Sequence, residues 1–213
     1  MSRHRAFTAL ALSGLLLVPA CSSAKPASHT AIRVASVVRI GPYTQVFASP
    51  LPANAAQAAV LEGFREGQVL WEKSQNRRSL VAPVRDYVTG QALTHLTAAV
   101  KNGQAHDLVP AGVDRFFMTR VTAMTGRGAV VATCDDGSKF REQNPRTGKT
   151  DPTSLPTPGQ SYLFETWRMA QRSGHWAITA LSVAPLPSRN AEPCQPGMTG
   201  YGPSRRPSEL VPT

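Results

Sequence analysis

The strongest constraint on the fold is a change of hydrophobic period near Val113. Before it, apolar side chains such as Ala92, Leu96 and Val100 recur at helical spacing, which indicates amphipathic helices. After it, apolar and polar residues alternate, which is typical of strands. This order predicts an α+β domain in which N-terminal helices pack on one face of a curved four-stranded antiparallel sheet.

Two of the predicted helices have clear start signals. Asn54 is suited to accept hydrogen bonds from the first turn and Gln57 to reach back, as in a capping box. Thr89 is suited to cap a later helix, which the pair Asn102-Gly103 would close. In the first helix, Glu72 is assigned to a face other than the apolar one. The predicted helices span 54–73, 81–87 and 89–103.

The second half of the chain predicts two hairpins separated by a long polar loop over 135–160. An apolar patch over 32–38 predicts an N-terminal strand or a leading edge of the domain. The predicted sheet strands span 113–124, 129–134, 161–171 and 175–183. Because opposite strand faces cannot both face the helices, at least two of six large side chains are expected to be exposed. The six are Trp71, Phe117, Phe164, Trp167, Trp176 and Ile178.

The N-terminus has the pattern of a targeting segment. Arg3 and Arg5 precede an apolar run over 6–18 that is short for a membrane span, and Ala20-Cys21 follows. This arrangement resembles a bacterial lipobox, in which Cys21 would be acylated and become the first mature residue, held in the membrane by its lipid. The predicted organisation is a signal peptide over 1–20, a tether and irregular lead-in over 21–53, the domain over 54–184, and a tail over 185–213.

The charge of the chain restricts its partners. The formal net charge is +10, and removal of the two arginines of the leader leaves 23 − 2 − 13 = +8. A basic surface beside a membrane suits anionic headgroups or cell-wall polymers, although a simply solvated basic surface is the alternative. Nucleic acid is not an expected partner on the outer face of a membrane, and no cofactor is predicted.

Cys134 and Cys194 remain once Cys21 is lipidated. An even pair in an oxidising compartment predicts a disulfide, which would hold the tail at Cys194. Two free thiols are the alternative. A metal pair has no Cys-x-x-Cys or histidine spacing to support it, so no metal ligand is assigned.

Catalysis in a domain of this class would require an Asp or His aimed into the interior. None of the candidates has a context that assigns it this role, so no catalytic residue is predicted. Adjacent His106 and Asp107 should diverge, and Asp135-Asp136 suit a strand end and turn. His95 is expected on the helix surface or as a hydrogen-bonded histidine of the core, and His175 is expected to be exposed. The candidates are His95, His106, Asp107, Asp114, Asp135, Asp136 and His175.

Several segments together carry a family resemblance. They are Tyr87-Val88-Thr89-Gly90-Gln91-Ala92-Leu93, Cys134-Asp135-Asp136, Arg146-Thr147-Gly148-Lys149, the Trp-containing last hairpin and Cys194. Over residues 54–194 the chain resembles secreted proteins and lipoproteins of actinobacteria that are similar to the nuclear transport factor 2-like fold. The resemblance implies a cone-shaped α+β domain and a cystine, and it brings no catalytic residues with it. The chain departs from the pattern in its tail after Cys194 and in a basic insert around Arg141.

These observations predict a non-enzymatic lipoprotein on the extracytoplasmic face of the cell membrane. Its cone-shaped domain would bind a small apolar ligand or an envelope protein. An enzyme of the isomerase or cyclase type, using an Asp or His in the cone, is one alternative, since a fold of this kind does not decide function. An accessory subunit of an envelope transport complex is the other.

Overall fold

The computed structural model of the protein describes residues 32–156, 161–185 and 194. The predicted leader, Cys21 and most of the predicted tail therefore lie outside the described residues. Across the described part, no helix has the length and hydropathy needed to cross a membrane. The elements are β1 Ile32–Ile40, β2 Tyr43–Pro50, α1 Ala55–Arg77, α2 Val84–Tyr87, α3 Gly90–His106, β3 Val109–Thr125, β4 Gly128–Gln143, a 3₁₀ turn Pro152–Ser154, β5 Tyr162–Arg172 and β6 His175–Pro185.

The α+β class is confirmed, but the described residues form a sheet of six strands in the order β1 to β6 instead of four. Residues expected to form an irregular lead-in supply β1 and β2, which pair as an antiparallel hairpin. β2 then pairs with β3 in parallel, so the prediction of a wholly antiparallel sheet is wrong. A parallel pair needs a long crossover, and the three helices provide it. The remaining pairs are antiparallel.

Local signals place α1 and its first turn. The Asn54 side chain accepts from the backbone N–H of Gln57 at 2.9 Å, and the Gln57 side chain accepts from the backbone N–H of Ala53 at 3.1 Å. The helix ends four residues later than predicted, at Arg77. There Arg78 takes a left-handed backbone conformation, with φ 54°, and its N–H bonds back into the last turn.

The helix α3 does not end at Asn102-Gly103 but continues to His106. Gly103 lies inside the helix, where a Cβ would be 2.9 Å from the Leu108 carbonyl oxygen, so the chain passes close to the helix at this point. Asp107 instead adopts the left-handed conformation that closes the helix. Its carboxylate pairs with Arg78 and accepts a hydrogen bond from Asn144.

The first part of the predicted loop over 135–160 is in fact strand. β4 continues to Gln143, and its polar end pairs with the start of β3, from Val113↔Lys139 to Val109↔Gln143. Alternation is hard to recognise here because Ser138-Lys139 and Arg141-Glu142-Gln143 interrupt the apolar pattern. Phe140 supplies the apolar contact, with its ring against Tyr43 at 6.2 Å.

The main core lies between the helices and one face of the sheet, around Phe64, Phe116 and Trp167. A second cluster covers the other face, where Phe117 packs beside the disulfide. The expectation that two of six large side chains would be exposed is therefore wrong: five are buried and Phe164 is half-buried. The prediction assumed that only one face of the sheet is covered.

The disulfide predicted from cysteine counting is present. Cys134 and Cys194 are bonded across 60 residues with their Cα atoms 5.3 Å apart, and both are buried. The bond places Cys194 against the outer face of the sheet. This small cluster, with Ala48 and Phe117, is what covers that face.

Candidate functional site

Two of the predicted candidates, Asp114 and Asp135, meet inside the domain. Across β3 and β4, Asp135 pairs with Phe116, a residue of the main core, so its side chain faces the helices. Asp114 lies two residues before Phe116 and shares that face. Asp136 is next along β4 and therefore points to the opposite face, where it forms an ion pair with Arg115 at 3.3 Å.

The other candidates do not enter this site. His95 and His106 are exposed on α3, and Asp107 closes that helix. His175 is half-buried instead of exposed: its Nε2 lies 3.0 Å from the Asp86 carbonyl oxygen, and its ring contacts Tyr87. Asp107 and His175 therefore make contacts at the ends of elements, whereas His95 and His106 lie on the exposed surface of α3.

Glu72 of α1 and Glu165 of β5 join the two aspartates, and we call these four residues the acidic cluster. All four are buried. Glu165 pairs with Thr133 across β4 and β5, two positions before Asp135 on the same face. Glu72 faces the sheet, so its assignment to another helix face was wrong.

Neighbouring side chains donate hydrogen bonds to the acidic cluster. The Tyr43 hydroxyl donates to Asp114 Oδ2 at 3.0 Å. Trp167 Nε1 donates to Glu165 Oε2 at 3.0 Å, and Gln75 Nε2 donates to Glu72 Oε1 at 3.2 Å. Each of these three carboxyl groups therefore has one oxygen held by a neighbour.

Other polar atoms at the site have no hydrogen-bond partner among the described residues. They are Asp114 Oδ1, Asp135 Oδ1, Glu72 Oε2, Gln68 Nε2 and both amide atoms of Gln45. Gln45 is completely buried and pairs with Asp114 across β2 and β3, so it lies on the same face of the sheet. Native interiors leave few buried polar groups unpaired. So many in one place indicate that a ligand or water pairs with them.

The acidic cluster is almost fully enclosed. Glu72, Asp114, Asp135 and Glu165 retain 7%, 9%, 7% and 6% of their surface. Tyr43 and Gln45 beside them retain none. Bulk solvent therefore barely reaches the four carboxyl groups.

Burial dominates the acid–base behaviour of the cluster. Burial, and then the charge of Asp114, raise the pKa of Glu165 to about 8. Burial and the carboxylates of Asp114 and Glu165 raise the pKa of Glu72 well above its usual range. Burial, with the neighbouring acids, also raises the pKa of Tyr43.

Asp114 and Asp135 titrate as a pair. Burial, followed by the charge of Asp114, raises the pKa of Asp135 well above its usual range. Burial also raises the pKa of Asp114, but the hydrogen bond from Tyr43 opposes that shift. Because the two carboxyl groups interact, they lose their protons in two steps that belong to the pair.

A separate apolar groove lies near the start of α1. It has a volume of about 340 Å³. Its lining residues are Phe47, Ser49, Pro50, Leu51, Pro52, Ala58, Leu61, Glu62, Phe64, Arg65 and Thr119. Phe47 and Phe64 also contact Phe116, whose ring stacks on Phe47 at 5.4 Å. These rings lie between the groove and the acidic cluster.

Sequence reasoning missed Glu72, Glu165, Tyr43 and Gln45. A signal for Glu165 was present, because it lies two residues before Trp167 and so shares the inward face of β5. Tyr43 and Gln45 were missed because β2 was not recognised as a strand. No group of three or more His, Cys, Asp or Glu side chains within the described ranges is placed to hold a metal ion.

Comparisons with known proteins do not assign a family. No protein-family model matches the chain, and no curated protein sequence matches it. Among solved structures, the chain is similar to the intermembrane space region of the chloroplast protein ARC6, at 18% identity, with 57% of this chain and 95% of that one covered and a TM-score of 0.34. It is also similar to a putative ketosteroid isomerase from Shewanella frigidimarina NCIMB 400, at 16% identity, covering 59% and 94%, with a TM-score of 0.32. At TM-scores below 0.5, these alignments assign neither a fold family nor an activity.

Proposed function

We propose that this protein binds a small ligand in a nuclear transport factor 2-like cone, with the acidic cluster as the binding site. The observation that carries the proposal is the set of buried polar atoms, on four elements, that have no hydrogen-bond partner among the described residues. Leaving such atoms buried and unpaired costs about 1–3 kcal/mol each, and a ligand that pairs with them would recover that energy. Structural packing alone gives no reason to retain them.

The experiment is a fragment screen by NMR on uniformly ¹⁵N-labelled protein. The reporter is the indole N–H of Trp167, which donates to Glu165. Ligands in the cone should shift this signal, and Glu72→Gln should weaken their binding. Shifts confined to Leu61 and Thr119 would place binding in the apolar groove instead, and a screen with no shift at Trp167 would contradict the proposal.

We further propose that Cys21 is lipidated and holds the domain on the extracytoplasmic face of the membrane. The basic leader and Ala20-Cys21 support this, and the Cys134–Cys194 bond suits an oxidising compartment. Cys21→Ser should abolish palmitate incorporation and release the protein from membranes or leave it unprocessed. Palmitate labelling that persists in Cys21→Ser would show that the anchor is elsewhere.

Proton transfer is a second candidate function, favoured by one observation. Burial raises the pKa of both Asp114 and Asp135, but the Tyr43 hydroxyl donates to Asp114 and opposes its rise, whereas the charge of Asp114 raises the pKa of Asp135 further. Groups separated in this way suit a general base beside a general acid. If they act so, the protein should catalyse exchange of the α-protons of cyclohexanone with D₂O, and Asp114→Asn should abolish it. No exchange above buffer would contradict the enzyme.

A further inference from the structure

We infer that the ligand of the acidic cluster is an organic cation: a protonated primary amine carried on an apolar stem. This rests on the proposed function and adds the chemical class of the ligand. The reasons are the absence of a compensating charge within the described residues, the unpartnered acceptors on three elements, and the aromatic rings beside the acidic cluster.

The acidic cluster has no cation of its own among the residues described. None of its four carboxyl groups forms an ion pair with a described Arg, Lys or His. The charged or titratable side chains at the site are Tyr43 from β2, Glu72 from α1, Asp114 from β3, Asp135 from β4 and Glu165 from β5. Arg115 lies on the other face of the sheet, paired with Asp136.

A buried acid without a counter-ion remains protonated. A cation that entered the site would take over this compensating role, and the carboxyl groups would ionise against it. An anionic ligand would instead add charge of the same sign. Charge therefore favours a cation over a carboxylate or phosphate.

The unpartnered acceptors point to a donor with several N–H groups. Asp114 Oδ1, Asp135 Oδ1 and Glu72 Oε2 come from three different elements. A primary ammonium group has three N–H donors, and each can satisfy a carboxylate oxygen at about 2.8 Å. No group of three or more acids among the described residues is placed to hold a metal ion, which disfavours a metal as the ligand.

Aromatic rings flank the acidic cluster on both sides. Tyr43, which donates to Asp114, has its ring edge-on to Phe140 at 6.2 Å. On the other side, Trp167 donates to Glu165 and lies edge-on to Trp71 at 6.0 Å. Aromatic faces attract ammonium groups and pack against apolar stems. This environment favours an amine attached to a hydrocarbon over a highly hydrated cation such as a polyamine.

Cation binding of this kind must release protons. Glu165, whose pKa is raised to about 8, is mostly protonated at neutral pH before a cation binds. Because the ligand binds the ionised form, its affinity should rise as the pH rises toward that pKa. A neutral ligand would show neither effect.

The test uses three probes of the same shape: benzylamine, benzyl alcohol and benzoate. Calorimetric titration at neutral pH in phosphate and in Tris reports proton release, because the two buffers differ in ionisation enthalpy. Benzylamine should bind about tenfold more tightly than benzyl alcohol, benzoate should not bind, and the benzylamine heat should differ between the buffers. The Trp167 indole signal locates each probe.

Two neighbouring aspartates provide matched variants. Asp135→Asn should weaken benzylamine binding about tenfold and reduce proton release, whereas Asp136→Asn, on the opposite face, should change affinity by less than about twofold. Melting curves establish that both variants fold. Two results would overturn the inference and leave the proposed function standing. In the first, benzyl alcohol shifts the Trp167 signal and binds as tightly as benzylamine. In the second, benzylamine binds without proton release. No shift of Trp167 with any probe overturns this inference, and the fragment screen separately decides the proposed function.

Discussion

At the scale of single residues, the acidic cluster makes the folding stability depend on pH. Glu165 has a usual pKa of 4.5 and a folded value of about 8, so the folded state holds its proton more tightly than the unfolded state does. Folding stability from this group is complete below pH 4.5 and is lost as pH rises through 8. The wild-type protein should therefore become less stable across this window.

Glu165→Gln should remove part of this pH dependence. The substituted amide would keep an acceptor for Trp167 Nε1 and would have no ionisable group. The free energy of unfolding of the wild type should fall by up to about 1.4 kcal/mol per pH unit for each such carboxyl group. In the Glu165→Gln variant, the free energy of unfolding should fall less steeply with pH, because one titrating carboxyl group is missing. The measurement is urea denaturation at steps from about pH 5 to about pH 9. Glu66→Gln, on α1 outside the acidic cluster, is the control, and a slope for Glu165→Gln equal to that of wild type would contradict the account.

At the scale of elements, α1 approaches β6 across two glycines. A Cβ on Gly63 would lie 2.5 Å from the Trp176 carbonyl oxygen, and one on Gly67 would lie 2.7 Å from Ile178 Cδ1. The first neighbour is backbone, whereas the second is the end of a side chain that can turn. The two positions therefore differ in what an added methyl group displaces.

Gly63→Ala should destabilise the protein more than Gly67→Ala. Alanine gains about 1 kcal/mol of helix propensity at either site, but overpacking against backbone costs about 1–3 kcal/mol. We expect a net loss of about 1–2 kcal/mol for Gly63→Ala and a change near zero for Gly67→Ala, measured by denaturation. Equal effects at the two positions would show that α1 can shift away from β6.

At the scale of the whole molecule, the disulfide covers the outer face of the sheet. It closes a segment of 60 residues and brings Cys194 against Phe117 and Ala48. In the chain-entropy model, a loop of this size restricts the unfolded state by about 4 kcal/mol. Its loss would also uncover the apolar surface of the second cluster.

Reduction should therefore lower the free energy of unfolding by about 4 kcal/mol. The measurement is denaturation with and without reductant, in protein carrying Cys21→Ser so that no third thiol intervenes. Cys134→Ala combined with Cys194→Ala should reproduce the loss and make stability insensitive to reductant. Unchanged stability on reduction, with both thiols shown to be free, would mean that the tail is held without the bond.

The sequence by itself determined the features that depend on near neighbours or on composition. Asn54 caps α1 because its partner amide is three residues away, and the hairpin at Gly126-Arg127 needs only a tight turn. The change of period at Val113 predicted helices before hairpins, and counting cysteines predicted the Cys134–Cys194 bond. These signals are local, or they follow from the chemistry of an oxidising compartment.

Only the tertiary structure decided the parallel pairing of β2 with β3 and the acidic cluster. Tyr43 and Asp114 are 71 residues apart, and their contact depends on a register that no local pattern encodes. A glutamate such as Glu72 is expected on the solvent side of a helix, because burying a carboxyl group costs free energy unless its surroundings compensate. The fold brings residues of five elements together at the acidic cluster. A sequence pattern considers one element at a time and therefore cannot predict that these residues meet.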